Sequence, residues 1–203
     1  MLAGNRGFRQ DENWVARDDE VVKTNDARQT IARIFLTMLL TAKAENCFSS
    51  RFVLKVNDKA IGKFEGRFFS EGMDISLTGQ RRFRFEKTSW MGSHFQLKDA
   101  ETGAVLVETD RAGFFTSSWK LQLSKSKAEL RKAGFFSTAY EVCGRDEVLG
   151  RVDRNGACER GWRLENYGDL EAVDMILIGL VYQIVLNRQA RQHSAAGGHI
   201  AGT

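Results

Sequence analysis

Residues 153–164, DRNGACERGWRL, repeat residues 110–121, DRAGFFTSSWKL, which lie 43 residues earlier in the chain. Five of the twelve aligned residues are identical, and Arg163 stands where the earlier copy has Lys120. A second match extends the repeat, because FSTAYEV from Phe136 corresponds to FSSRFVL from Phe48, 88 residues upstream. The chain therefore contains three copies of a unit of about 43 to 45 residues.

Each unit alternates apolar and polar residues over short runs, the pattern typical of half-buried β-strands. RFRFE places Phe83 and Phe85 on one face, and WKLQL does the same for Trp119, Leu121 and Leu123. Turn-forming residues separate the runs at positions 57–58, 78–80, 101–103, 145–146 and 155–156. Each unit has room for four strands of typical length.

Twelve strands in three units predict a closed barrel. A period of this length is also typical of propeller blades, but three units fall below the roughly four to eight blades that propellers use. Closure into a barrel removes every exposed strand edge. The first unit diverges most, because MDISL at residues 73–77 lacks the tryptophan that the later units carry as Trp119 and Trp162.

The C-terminal stretch DMILIGLVYQIVLNRQARQ predicts a helix that fills the barrel. About eight strands already reach the width that side chains alone can fill, so a twelve-stranded barrel needs an occupant. Residues 175–186 are apolar around the whole helix except at Gln183, which indicates burial on every side or a membrane anchor. Twelve residues span only about 18 Å, against roughly 30 Å of bilayer hydrocarbon, which favours a core helix. We therefore predict a mainly β fold with a central helix at 170–190, whose core residues are Met175, Ile176, Leu177, Ile178, Leu180, Val181, Ile184 and Val185.

The composition is that of a soluble globular protein, with 42% hydrophobic and 28% charged residues. Cys47, Cys143 and Cys158 show no CxxC spacing, which favours a reducing, cytoplasmic location over a disulfide framework or a zinc site. GxSxG, HExxH, P-loop and GxGxxG motifs do not occur. Ser93 and His94 are adjacent on a strand and point to opposite faces, so they do not form a nucleophile–base pair. The sequence predicts no enzyme, no metal site and no cofactor.

The three four-strand units and the apolar helix after them resemble the plan of the tubby C-terminal-like superfamily. This group includes tubby proteins, phospholipid scramblases and plant LURP-one-related proteins. The resemblance covers residues 38–192 and is strongest to the LURP-one-related and scramblase-like members. Tubby domains hold phosphoinositide headgroups through surface Lys and Arg residues, so the resemblance implies a non-enzymatic domain that binds anionic phospholipid.

Scramblases also carry an acidic calcium-binding segment just before the helix and a palmitoylated cysteine cluster. ENYGDLEAVD from Glu165 occupies the corresponding place here, but it lacks the alternating aspartates of a calcium loop. Glu165, Asp169 and Glu171 are interpreted as helix-capping residues, and the cysteine cluster is absent from the sequence. The resemblance therefore does not carry scramblase activity to this chain.

A net charge of +4 permits an acidic partner. Arg82 and Arg84 share the strand face opposite Phe83 and Phe85. Lys125 and Lys127 belong to the segment SKSK, which follows WKLQL. If these strands lie side by side, the four residues form a lipid-headgroup site, whereas the other interpretation is a set of solvated strand faces. Nucleic acid is not expected, because the alternation points the aromatic residues inward. Two functions remain open: a cytoplasmic domain peripheral to an anionic membrane surface, and a soluble scaffold or protein-interaction module with an unknown partner.

The termini follow a different pattern from the repeats. Residues 1–37 contain six acidic and six basic residues without strand alternation, and we interpret them as a disordered extension or as an overextended start of a chain that begins at Met38. A competing interpretation makes residues 26–40, DARQTIARIFLTMLL, a helix. Residues 193–203 are predicted as a disordered tail.

Overall fold

The computed structural model describes residues 38–46, 49–67, 70–89, 93–111, 118–156 and 159–197, with helix side chains as far as residue 192. The chain divides into two units, residues 1–36 and 37–203, and the fold below belongs to the second. The predictions for residues 1–37 lie outside the described residues. Cys47 and Cys158 also lie outside them, and Cys143 is a half-buried free cysteine.

Twelve β-strands precede one helix in the described chain. The first unit contains β1 (Leu39–Ala44), β2 (Arg51–Val56), β3 (Lys59–Gly66) and β4 (Met73–Leu77). The second contains β5 (Arg82–Lys87), β6 (Phe95–Asp99), β7 (Val105–Arg111) and β8 (Trp119–Gln122). The third contains β9 (Lys127–Lys132), β10 (Tyr140–Cys143), β11 (Val148–Arg154) and β12 (Gly161–Asn166), and helix α1 (Ala172–Gly197) follows.

The strands form one closed antiparallel barrel in which each strand pairs with its neighbours in the sequence. The ring closes where β1 pairs with both β2 and β12, so that Leu40 lies opposite Val56 on one side and Leu164 on the other. This confirms the predicted twelve-stranded barrel. The competing helix over residues 26–40 is wrong at its end, because Leu39 and Leu40 belong to β1.

The three units share a β-bulge at the same place. In each unit the second and third strands pair with a one-residue shift, which leaves Ile61, Leu106 and Leu149 without a direct partner. Bulges bend a strand and increase its twist, and curvature of this kind is needed to close a barrel. The repeat in the sequence therefore corresponds to a repeat in backbone geometry.

The Arg and Trp residues that recur in the repeated segments 110–121 and 153–164 face each other across neighbouring strands. Arg111 lies opposite Trp119, and Arg154 lies opposite Trp162. In the first unit the equivalent pair is Gly66 and Met73. Both tryptophans and the methionine are buried, so the three residues occupy equivalent positions inside the wall.

Helix α1 lies inside the barrel. Residues 174–185 are all buried, including the eight that the sequence assigns to the core. The helix packs against β7 and β12, which are five positions apart in the ring of twelve strands and therefore on nearly opposite walls. Gly179 permits this fit, because a Cβ atom there would overlap the indole ring of Trp162.

The helix is longer than predicted at its C-terminal end. It continues to Gly197, five residues into the predicted tail, because no glycine or proline interrupts residues 187–196. In the part of the chain that the structure describes, α1 does not provide the long apolar stretch that crossing a bilayer needs.

We call the end of the barrel at the start of α1 the amino rim and the end at the C-terminal part of α1 the carboxyl rim. At the amino rim, Asp174 near the start of α1 accepts hydrogen bonds from the backbone N (2.8 Å) and the hydroxyl (2.7 Å) of Ser124 in the β8–β9 turn. At the carboxyl rim, Arg188 donates two hydrogen bonds of 2.7 Å to Glu71 in the β3–β4 connection. Because the strands are antiparallel, the connections β1–β2, β3–β4, β5–β6, β7–β8, β9–β10 and β11–β12 all lie at the carboxyl rim.

Candidate anion-binding pocket at the carboxyl rim

The four basic residues singled out in the sequence do not form one cluster. Arg82 and Arg84 lie on β5, whereas Lys125 and Lys127 lie at the β8–β9 turn and the start of β9. These strands are four positions apart in the ring, or roughly 19 Å along the wall at about 4.8 Å per strand. All four side chains are exposed, but the condition that their strands lie side by side is not met.

Two of the four residues also have acidic partners. The Nε of Arg84 lies 3.7 Å from Asp74, and the Nζ of Lys125 lies 2.9 Å from Glu171. The hydrogen bond to Lys125 lowers the pKa of Glu171. Glu171 therefore lies in an ion pair at the helix start.

A pocket of about 220 Å³ opens at the carboxyl rim, between the end of α1 and the first unit. Gln183, Asn187 and Arg191 line one side, and their spacing of four residues places them on one face of the helix. Phe52, Phe64, Met73, Arg67, Glu71 and Arg160 line the other sides. A second depression of about 240 Å³ adjoins it and shares Phe52, Arg160, Gln183 and Asn187. We call the first depression the carboxyl-rim pocket.

The divergence of the first unit explains where this pocket lies. Trp162 covers Gly179, and the Trp119 ring lies 5.4 Å from the guanidinium of Arg188. Met73 occupies the equivalent position in the first unit and lines the pocket. The missing indole leaves space between the helix and the wall at this position.

Gln183 supplies a buried acceptor without a partner. Its side chain is 5% exposed, and its Nε2 donates a 3.0 Å hydrogen bond to Asn187. Its Oε1 accepts no hydrogen bond from the described residues. Leaving such an oxygen unsatisfied costs about 1–3 kcal/mol, so a ligand that donates a hydrogen bond here is favoured.

The pocket has a cationic lining. The described lining residues include Arg67, Arg160 and Arg191 but, among acids, Glu71 alone. Glu71 pairs with Arg188, whose hydrogen bonds are the main cause that lowers its pKa. Arg67 pairs with Asp74 through bonds of 2.8 and 2.6 Å, and that bond lowers the pKa of Asp74. Arg67 and Glu71 are therefore engaged in ion pairs, and Arg160 and Arg191 are the other charged residues of the lining.

Arg160 is held in place beside the pocket. Its guanidinium lies 5.8 Å from the centre of the Phe52 ring and donates a 3.2 Å hydrogen bond to the carbonyl of Ser49. Arg191 forms no salt bridge with the described residues and is exposed near the end of the described side chains. Arginines on two sides of a small pocket suit a phosphate group.

One linear arrangement of polar residues was not anticipated from the sequence. Thr88 is hydrogen-bonded to Nδ1 of His94, and Nε2 of His94 lies 3.5 Å from Glu108. Hydroxyl, imidazole and carboxylate follow one another here in the order of a catalytic triad. However, Gln96 also binds Glu108, and the His94 and Glu108 side chains are 32% and 39% exposed on the outer wall. We interpret the arrangement as a link between the β5–β6 connection and β7. The pairing of Gln96 with Glu108 across β6 and β7 is the feature from which this arrangement could have been found.

No cluster of three or more His, Cys, Asp or Glu side chains that could hold a metal ion occurs among the described residues. In the acidic segment before the helix, Asp174 takes the capping role by accepting a 3.2 Å hydrogen bond from the backbone N of Glu171. Glu171, one of the predicted capping residues, occupies the position just before the helix, where its carbonyl accepts the bond from Met175 N, and Asp174 in the first turn supplies the side-chain cap.

Comparisons with protein-family models, with curated proteins and with solved structures find no match to this chain. The resemblance to tubby C-terminal-like proteins stays a prediction from the sequence.

Proposed function

We propose that this protein is a non-catalytic, tubby-like binding domain that holds an anionic headgroup at a membrane surface, with the carboxyl-rim pocket as its binding site. The observation that carries the proposal is the combination of Arg160 and Arg191 with the unpartnered Gln183 oxygen in one pocket. The arginines suit a phosphate, and the amide oxygen suits a hydroxyl or ammonium group of the same headgroup.

The size of the pocket is compatible with a headgroup. The pocket measures about 220 Å³, and the adjoining depression with which it shares four residues measures about 240 Å³. The helix fills the barrel interior, so the acyl chains of a bound lipid stay outside the protein. This is consistent with a domain that remains peripheral to the bilayer.

The test is co-sedimentation with vesicles of phosphatidylcholine alone and of phosphatidylcholine mixed with phosphatidylserine. The variant Arg160→Gln/Arg191→Gln removes two charges worth about 1 kcal/mol each near an anionic surface, so we expect binding to the mixed vesicles to weaken about tenfold or more. Arg82→Gln/Arg84→Gln is the matched control, because it removes the same charge from the outer wall. Equal losses in both variants, or no loss in either, would contradict the assignment of the site.

The variant Met73→Trp tests the pocket without changing the charge. It restores the residue of the other two units and fills the space beside Gln183, so we expect weaker binding of glycerophosphoserine, the free headgroup. Overpacking here costs about 1–3 kcal/mol, which a melting curve measures separately. Undiminished binding of the headgroup by this folded variant rejects the pocket.

A further inference from the structure

The β9–β10 connection carries the most exposed large apolar side chains among the described residues. Phe135 is 85% exposed and Phe136 is 94% exposed, whereas the five phenylalanines described within the barrel strands are at most 6% exposed. The two rings contact each other edge to face, with centroids 4.9 Å apart. We call Phe135 and Phe136 the aromatic tip.

The backbone places the aromatic tip at the most prominent point of its connection. Ala133 N donates to Ala139 O (2.9 Å), which closes the base, and Ser137 N donates to Gly134 O (3.1 Å). The two phenylalanines are therefore the central residues of a β-turn. Such positions are usually filled by Gly, Pro, Asn, Asp or Ser, and a local rule broken without gain to the fold points to function.

The connection is also held firmly to the barrel. The buried Tyr182 of the helix donates a 2.9 Å hydrogen bond to the carbonyl of Thr138, whose hydroxyl donates to Asp153 (2.9 Å). Lys132 Nζ donates to the backbone carbonyl of Phe135 (2.8 Å), which places an ammonium group next to the turn. The backbone that carries the aromatic tip is therefore held by hydrogen bonds before any partner binds, which lowers the entropy cost of binding.

The area of the aromatic tip and the charge around it select the partner. Two phenylalanines can bury roughly 300–500 Å², well below the about 800 Å² per partner of a stable protein interface. A fluid bilayer needs no complementary surface, and aromatic rings favour its interfacial region. Lys132 and, on the next connection along the rim, Arg160 supply the positive charge that an anionic leaflet attracts.

We infer that Phe135 and Phe136 insert into an anionic bilayer and anchor the carboxyl rim to it. The inference rests on the proposed function, because the headgroup pocket opens at the same rim. It adds the part of the protein that enters the membrane, which neither the pocket nor the sequence assigns.

The experiment measures vesicle partitioning of the full chain in the phosphatidylcholine and phosphatidylserine mixture. Phe135→Ser/Phe136→Ser is expected to bind about ten- to a hundredfold more weakly, since each ring loses favourable burial. The matched control is Val105→Ser/Leu106→Ser, which removes the 48% and 39% exposed apolar pair at the amino rim and is expected to bind like the native chain. Phe135→Trp/Phe136→Trp is expected to retain binding, and bromine on the acyl chains is expected to quench its added fluorescence above the native background.

The outcomes separate this inference from the proposed function. Vesicle binding unchanged in Phe135→Ser/Phe136→Ser, or Trp variants that bromine does not quench, overturns the inference. If that serine variant loses vesicle binding but still binds glycerophosphoserine, both proposals are supported. If Arg160→Gln/Arg191→Gln binds vesicles normally while the serine variant does not, membrane insertion of the aromatic tip is supported and the pocket is rejected as the headgroup site. A serine variant that loses self-association or a protein partner but keeps vesicle binding overturns the inference in favour of a protein contact.

Discussion

The two ends of the barrel differ in chemistry although the same repeat builds both. The connections of the amino rim carry more acids than bases: Asp58, Glu101, Asp146, Glu147, Asp169 and Glu171 against Arg81, Lys125 and Arg145. At the carboxyl rim, including the end of the helix as far as residue 192, the balance reverses to Arg67, Arg160, Arg188 and Arg191 against Glu45, Glu71 and Glu159. An anionic surface is therefore repelled by one end and attracted by the other.

The aromatic residues are just as unevenly divided. Among the described residues, Tyr167 is the aromatic residue of the amino-rim connections, whereas the carboxyl-rim connections carry Phe135 and Phe136. The difference teaches that short polar turns are enough to close the amino rim, while the longer connections of the carboxyl rim present exposed aromatic and basic side chains. The following predictions test this division, beginning with the largest expected effect.

The amino rim should carry the largest stability effect. Asp174 is 2% exposed and accepts hydrogen bonds from Ser124 and from the backbone N of Glu171. Asp174→Ala removes the buried carboxylate that accepts three hydrogen bonds, so we expect the free energy of unfolding to fall by about 3 kcal/mol in chemical denaturation. Vesicle binding by the folded variant should not change, and a loss of binding at full folding would break the division between the rims.

Midway between the rims, Gly179→Ala should destabilise the protein by about 2 kcal/mol, because the new methyl group overlaps Trp162. The cost should be smaller in a Trp162→Phe background, since the smaller ring gives way. A double-mutant cycle by thermal unfolding measures this coupling. Additive effects would show that helix and wall do not meet at this point.

At the carboxyl rim, Glu71→Gln should cost about 1–2 kcal/mol at neutral pH by weakening the pair with Arg188. The pair lowers the pKa of Glu71 below its ordinary 4.5, so its stabilisation is present above that pH and is lost as pH falls through the lowered value. The difference in free energy of unfolding between the native chain and the variant should therefore shrink in acid. A difference that grows as pH falls would contradict this sign.

The smallest effect is expected from the basic residues that the sequence singled out. Replacing Arg82, Arg84, Lys125 and Lys127 by glutamine should change vesicle binding less than Arg160→Gln/Arg191→Gln does, because the four lie on separate parts of the wall. Co-sedimentation at matched ionic strength compares the two variants. A larger loss from the four replacements would move the lipid face away from the carboxyl rim.

The fold could be predicted because its causes are local and repeated. Alternation placed Phe83 and Phe85 inside, and the uniformly apolar stretch identified the central helix, including Gln183 as its exception. The recurrence of Asp, Arg and Trp identified the repeating unit in the sequence. The strand register within that unit is seen only in the structure, where Arg111 pairs with Trp119. The end of the helix was placed too early, because residues 193–196 contain no helix breaker and the helix continues through them to Gly197.

The site was harder to predict because it depends on packing between distant elements. The space beside Met73 exists because the first unit lacks the tryptophan that the other two units place at the equivalent position. Gln183 lines this space together with residues more than a hundred positions away in the sequence. Phe136 was recognised only as a repeat match to Phe48, since nothing in the sequence marks it as the tip of a turn. The separation of Arg82 from Lys125 follows from the order of strands around the ring.

Hydrogen exchange of backbone amides, with and without vesicles containing phosphatidylserine, tests the central claim most directly. The account predicts added protection in the carboxyl-rim connections 133–139 and 155–160 and at the helix end near residue 191, with none in the amino-rim turns 57–58, 100–104 and 144–147. Protection confined to the amino-rim turns, or a bound protein without added protection at the carboxyl rim, would contradict it.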